Sequence, residues 1–138
     1  MRPSALHHVG YVVPRMSAAL RRFVDEGARV LVEPVDDPIQ RVTVALLSVD
    51  AGVPVELVAP TPGVDGPITA RLQRGGGFDH LCFAVEDVGA ALAADAERGG
   101  IVVCEPVFAV AFTRTVGFVQ RRSGMVVEFI SAEEVAQP

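Results

Sequence analysis

The chain carries the same pattern twice. Sliding the 138-residue sequence against itself by 72 positions aligns 6–59 with 78–131 without a gap, and about 15 of the 54 paired positions are identical. LHHVGYVV at 6–13 faces FDHLCFAV at 78–85, and Ala18-Ala19-Leu20 faces Ala90-Ala91-Leu92. Gly27 faces Gly99, Glu33-Pro34-Val35 faces Glu105-Pro106-Val107, Thr43-Val44 faces Thr115-Val116, and Gly52 faces Gly124. VPVELVA faces MVVEFIS, which sets Glu56 opposite Glu128. A repeat of this length is one supersecondary unit used twice, so whatever fold is assigned to one half has to serve the other.

Each half reads as strand, helix and three strands. A strand at 6–13 leads to a helix over about 16–25, opened by Pro14 and Ser17 and stopped by Gly27. A short strand at 29–33 closes at Glu33-Pro34, and the β-rich runs VTVALLSV and VPVELVA follow around a turn at Asp50-Ala51-Gly52. The second half repeats this order with IVVC, RTVGFV and MVVEFIS, turning at Ser123-Gly124. The expected organisation is a βαβββ module at 5–59, a linker at 60–77 with a short helix from Pro67 to Arg74, a second module at 78–132, and a loose tail at 133–138. One such module has an open sheet edge and an incompletely covered face, so two modules together are the stable object. The expected fold class is α+β, with the tandem modules forming an open, partly closed, eight-stranded, barrel-like cleft.

Composition removes several function classes. Half the residues are apolar, but no apolar run reaches the ~18–20 residues needed to cross a bilayer. MRPSALHHV has no apolar core or cleavage signature, which makes a cytoplasmic address the expectation and leaves no membrane role. Net charge is −5, with one Tyr and no Trp, so neither counterion displacement nor base stacking favours a nucleic acid partner. All twelve basic residues are Arg, which rules out a Schiff-base lysine, a catalytic lysine and a phosphate-loop lysine. Cys82 and Cys104 lack a CxxC spacing and read as free, buried thiols.

Side chains alternate along a strand, so Leu6, His8, Gly10 and Val12 share one face, and His7, Val9, Tyr11 and Val13 share the other, bulkier one. The same parity puts His80 with Cys82 and Ala84, and sends Leu81, Phe83 and Val85 towards a covering helix. In the last strands, Val55, Leu57 and Ala59 face away from Glu56, and Val127 and Phe129 face away from Glu128. Each half therefore brings one His from its first strand and one Glu from its last to the same face. A buried carboxylate is costly unless it is paired, hydrogen-bonded or bound to a metal. Two imidazoles and two carboxylates suit a first-row divalent ion with room for two further oxygens. His7 faces Asp79 in the repeat and alternates away from this set, as a structural or supporting residue would.

With these residues in view, the chain resembles the vicinal oxygen chelate superfamily over residues 5–132, and within it the methylmalonyl-CoA epimerases. The likeness rests on HHVGYVV, Gln40-Arg41-Val42, the Asp65-Gly66-Pro67-Ile68 stretch and Gly77-Phe78-Asp79-His80. The sequence departs from the epimerase pattern in PVFAVAFTR after Glu105 and in Gln120-Arg121-Arg122-Ser123, and it has Val44 where some epimerases carry a glutamate. The resemblance implies a divalent metal (Co, Mn, Ni, Zn or Fe) on His8, Glu56, His80 and Glu128. It also implies a small-molecule substrate such as an acyl-CoA, and a homodimer.

The chemistry implied is epimerisation of an acyl thioester. The metal stabilises the enolate left when the α-proton departs, Glu128 is the first candidate base, and Glu56 serves the opposite face. A glyoxalase-I-like lyase, or another metal-dependent reaction on a small oxygenated substrate, shares the ligands, and a metal-free protein that sequesters an apolar small molecule is the third reading. Glu33 and Glu105, each before a proline, read as turn residues. Arg71, Arg74, Arg114, Arg121 and Arg122 are candidate contacts for substrate anions, with solvated surface the simpler assignment for each.

Overall fold

The computed structural model describes residues 5–49 and 52–137, so the turn expected at Asp50-Ala51 lies outside the described residues. The elements are β1 (Ala5–Val12), α1 (Met16–Asp25), β2 (Arg29–Asp37), β3 (Val42–Ser48), β4 (Val55–Pro60), α2 (Thr69–Gln73), β5 (Gly77–Val85), α3 (Val88–Glu97), β6 (Ile101–Ala109), β7 (Arg114–Gln120) and β8 (Val126–Ser131). By their contacts the residues form two compact units. The first is His8–Asp79; the second comprises the described residues from His80 onward together with residues 5–7.

Within the first unit the strands lie in the order β2-β3-β4-β1, and within the second in the order β6-β7-β8-β5. β1 pairs with β4 in parallel, as β5 does with β8, and the remaining pairings are antiparallel. The repeat extends to irregularities. The β2/β3 ladder shifts register between Val30 and Val32 and again between Val32 and Val35; β6/β7 shifts between Val102 and Cys104 and between Cys104 and Val107. Both hairpins then turn through a non-glycine residue of positive φ, Arg41 at 59° and Thr113 at 51°, which occupy equivalent positions.

These bulges correct the expected strand ends. β2 and β6 do not close at Glu-Pro but run on to Asp37 and Ala109. Each is the outermost strand of its unit, so Pro34 and Pro106 need no ladder donor on that side. Glu33 and Glu105 are accordingly exposed strand residues rather than turn residues.

The two helices differ. α3 buries Val88 and Leu92 against Val119, Val127 and Phe129, with Phe83 and Val85 packed alongside. Gly117 permits this approach, because a Cβ there would lie 2.7 Å from Leu92 Cδ1 and 3.2 Å from the Cys104 carbonyl oxygen. The equivalent residue in the first unit is Ala45, and α1 buries none of its own residues. The expectation that Tyr11 packs under a helix is not met: Tyr11 is 43% exposed. The opposite face of the second unit holds Cys82, Ala109, Val116 and Ile130, with Phe112 and Phe118 against them.

The Asp65–Ile68 stretch is fixed within the first unit. Arg41 Nη1 donates to the Asp65 carbonyl at 3.0 Å, and Thr69 Oγ1 donates to the Gly66 carbonyl at 2.9 Å. A Cβ at Gly66 would stand 2.7 Å from the Arg41 carbonyl, and Ile68 is buried. In the segment expected to be loose, Val135 N–H donates to the Thr113 carbonyl at 2.8 Å.

Candidate functional site

The parallel β1/β4 ladder sets Gly10 opposite Glu56 and continues Glu56 opposite Leu46 on β3. His8, two residues before Gly10, shares that face. His8 Nε2 stands 3.4 Å from Glu56 Oε1, with His8 fully buried and Glu56 4% exposed. The second unit rebuilds the arrangement. Cys82 lies opposite Glu128, which lies opposite Phe118 on β7, and His80 Nε2 is 3.0 Å from Glu128 Oε1. Both residues are 2% exposed.

Neither pair is a mere copy of the other. Phe118 replaces Leu46 and sets its ring edge-on to the His80 imidazole, with centroids 5.3 Å apart and planes at 88°. Cys82 replaces Gly10. Cys104 extends the row beyond Phe118, and burial pushes its thiol pKa up from the ordinary value, with Glu128 and then Glu105 adding in the same direction. Neither cysteine forms a disulfide, and only Cys82 is buried; Cys104 is half-buried, which corrects the expectation of two buried thiols.

The donor spacing fits a metal. Two ligand atoms bonded to one first-row divalent ion at ~2.1 Å stand about 3.0 Å apart at right angles and about 3.4 Å apart at the tetrahedral angle. The two His–Glu separations, 3.0 and 3.4 Å, fall on these values. Imidazole and carboxylate donors suit such an ion, and a cation offsets the cost of carboxylates held this far from water. Each pair could therefore serve as ligands in a divalent metal site.

The other sequence candidates are placed elsewhere. His7 sets its ring edge-on to Phe112, centroids 5.6 Å apart. Arg114 is a structural donor rather than solvated surface: its Nη1 reaches the Ser131 and Ala132 carbonyls at 3.1 and 2.7 Å. Arg121 pairs with Asp95 at 3.1 Å, Arg74 is exposed, and Arg71 is half-buried with Nε lacking a hydrogen-bond partner among the described residues. Two residues escaped the sequence reading: Phe118 and Cys104, which share Glu128's row. Strand parity on β7 would have placed Phe118. The bulge in β6 conceals the parity of Cys104. Asp37 is a buried acid without a site role here. Its carboxylate accepts from Ile39 N, Gln40 N and Gln40 Nε2 and so closes the β2–β3 turn.

Comparison with known proteins places this architecture. Residues 7–118 match the Glyoxalase/Bleomycin resistance protein/Dioxygenase superfamily, and the chain belongs to that superfamily. Its tandem βαβββ order, with eight strands in mixed pairing, is the glyoxalase-like fold that the resemblance implies. More particularly, it is 33% identical over 88 residues to an ethylmalonyl-CoA/methylmalonyl-CoA epimerase of Cereibacter sphaeroides, an alignment covering 62% of this chain and 64% of the relative, just under two thirds of its length. A hypothetical protein from Bacillus halodurans superposes with a TM-score of 0.82 at 25% identity, covering 99% of this chain and 100% of the other. Methylmalonyl-CoA epimerase from Mycobacterium tuberculosis superposes with a TM-score of 0.79 at 23% identity, covering 96% and 93%. No helix among the described residues is long and apolar enough to cross a membrane.

Proposed function

We propose that the chain is a metal-dependent epimerase acting on a 2-substituted malonyl thioester, with His8, Glu56, His80 and Glu128 as the ligand set of one divalent ion. The observation that carries the reading is the buried His–Glu pair, present once in each repeat at ligand-to-ligand spacing. The name of the Cereibacter relative supports the substrate class. When bound, the metal would act as a Lewis acid towards the thioester carbonyl oxygen and so acidify the α-carbon.

The remaining steps belong to the chain's own residues. A carboxylate oxygen of Glu128 takes the α-proton; the C–H bond breaks, an O–H bond forms, and the electron pair moves onto the carbonyl oxygen as an enolate. Glu56, its counterpart in the other repeat, starts the cycle protonated and delivers that proton to the opposite face of the same carbon. Its O–H bond breaks, the new C–H bond forms, and exchange with solvent returns both carboxyl groups to their starting states. His8 and His80 act as neutral donors and take no part in proton transfer. Val44, 4% exposed and on Glu56's face of the first unit, adds an apolar wall where some epimerases carry an acid, which leaves Glu56 and Glu128 as the two proton carriers. On the second unit, Phe118 and Ile130 supply apolar surface beside Glu128, and exclusion of water strengthens every charge interaction with the enolate.

The test is hydrogen exchange. Co(II)-loaded protein in deuterated water should place deuterium at C2 of methylmalonyl-CoA, and Glu128→Gln should slow this by roughly 10²–10⁴-fold. A metal-loaded protein that exchanges no C2 hydrogen overturns the epimerase assignment, and turnover of a hemithioacetal instead would establish the lyase reading.

A further inference from the structure

The second unit carries another concentration of charge, on the side of the sheet away from His80 and Glu128. Phe118 lies opposite Glu128 on one face; Val119, its neighbour, packs with α3 on the other. At the C-terminal end of α3 a cavity of about 390 Å³ is lined by Asp95, Arg98, Gly100, Arg121, Arg122 and Ser123. Three arginines against one aspartate leave an excess of two positive charges, in a chain whose net charge is −5.

The contacts divide these charges unequally. Arg121 donates from Nε and Nη2 to Asp95 Oδ2 at 3.2 and 3.1 Å, so these two neutralise each other. Arg98 and Arg122 form no ion pair among the described residues. Two of the carbonyls at the end of α3, which would repel an anion, already accept backbone hydrogen bonds: Gly99 N–H donates to the Ala96 carbonyl and Gly100 N–H to the Asp95 carbonyl, both at 3.0 Å. The two glycines also shape the cavity. Gly99, at φ 96°, lets the Arg122 guanidinium lie against the backbone where a Cβ would collide with its Nε and Cζ. A Cβ at Gly100 would stand 2.7 Å from Asp95 Oδ1 and 2.8 Å from Val119 Cγ2.

The duplication supplies an internal control. The residues of the first repeat equivalent to Asp95, Arg98, Arg121, Arg122 and Ser123 are Phe23, Glu26, Val49, Asp50 and Ala51. None of them is basic, so the cluster belongs to one repeat alone and is no inheritance of the common module.

We propose that this cavity binds a phosphate group, held by the guanidinium groups of Arg98 and Arg122 with the Ser123 hydroxyl as a further donor. Paired guanidinium groups match the oxygens of a phosphate ester or pyrophosphate in geometry and charge. That group could come from the nucleotide end of a coenzyme A thioester or from free phosphate, and the test separates the two. Pyrophosphate and coenzyme A are titrated calorimetrically into the full chain at low salt, against Arg98→Gln, Arg122→Gln and, as a control at an exposed arginine outside the cavity, Arg29→Gln. Pyrophosphate binding should weaken roughly tenfold or more in each of the first two variants, weaken with added salt, and be unchanged in the third.

A matching loss of coenzyme A affinity identifies the nucleotide end as the source; unchanged coenzyme A affinity identifies a site for free phosphate. The proposal fails if pyrophosphate does not bind, or binds the variants as it binds the parent while their melting temperatures match. The pyrophosphate arm involves no thioester and no metal, so its result stands apart from that of the exchange experiment.

Discussion

The two repeats disagree at one helix start, and the disagreement has a calculable consequence. Asp87 caps α3: its Oδ1 accepts from Ala90 N–H at 2.9 Å. The equivalent residue before α1 is Arg15, which makes no side-chain capping bond and places a cation at the positive end of the helix dipole. The backbones match closely, with φ/ψ of −138°/117° at Arg15 and −131°/107° at Asp87, so an aspartate at 15 can adopt the capping geometry without strain. Arg15→Asp should therefore gain about 1 kcal/mol from the cap and about 0.5 kcal/mol or more from the reversed charge. For a 138-residue chain the unfolding entropy is about 0.29 kcal/mol/K, so the melting temperature should rise by about 4–6 °C. The reciprocal Asp87→Arg should lose a similar amount. Thermal melts followed by circular dichroism decide it. An Arg15→Asp protein melting within about 1 °C of the parent would refute the capping argument.

Three further outcomes follow from the same geometry. Leu92→Ala empties a position 2% exposed beneath α3 and should cost about 3 kcal/mol in urea unfolding, whereas Leu20→Ala, its half-buried repeat partner on α1, should cost less than half of that. Glu128→Gln should leave the melting temperature of the metal-free protein within a few degrees of the parent, because the amide keeps the size of the carboxyl group and removes a buried charge. It should, however, remove most of the rise of about 9 °C that a metal at 100 times its dissociation constant gives the parent. The raised pKa of Cys104 means the folded state holds that proton more tightly. Its contribution to stability is complete below the unfolded thiol's value, near 9.0, and declines as pH rises from there through the higher folded value. Alkylation of Cys104 should accordingly reach half its maximal rate at a higher pH in folded than in urea-unfolded protein. Equal midpoints would contradict the burial argument.

Much of this architecture was legible because strand parity and a gapless repeat are both strict. Once residue 8 is on one face, residues 10 and 12 must join it, and the offset of 72 carries the assignment to His80. Placing Glu56 near His8 and Glu128 near His80 needed only the further step that first and last strands pair within a module. What was not legible lies where local signals mislead. Glu-Pro reads as a stop, yet an outermost strand tolerates proline and continues through a bulge, so β2 and β6 run past their expected ends; Cys104, in the apolar run IVVC, reads as buried but lies half-buried on that outermost strand. The close approach of α3 to β7 needs Gly117, where the first repeat has Ala45, a single methyl group that no periodicity records. The arginine cavity brings together positions 95–100 and 121–123, which only the packing of α3 beside the β7–β8 turn makes neighbours.

The central claim is that two His–Glu pairs, one per repeat, act on a single ion. Metal content per chain tests it most directly: the protein is stripped, reloaded with Co(II), desalted and measured, alongside His8→Ala and His80→Ala. The account predicts one tightly held ion per chain, lost in both variants although each touches a different module. Two ions per chain, with one surviving in each variant, would mean that each pair binds separately, and no retained ion in the parent would contradict the metal assignment altogether.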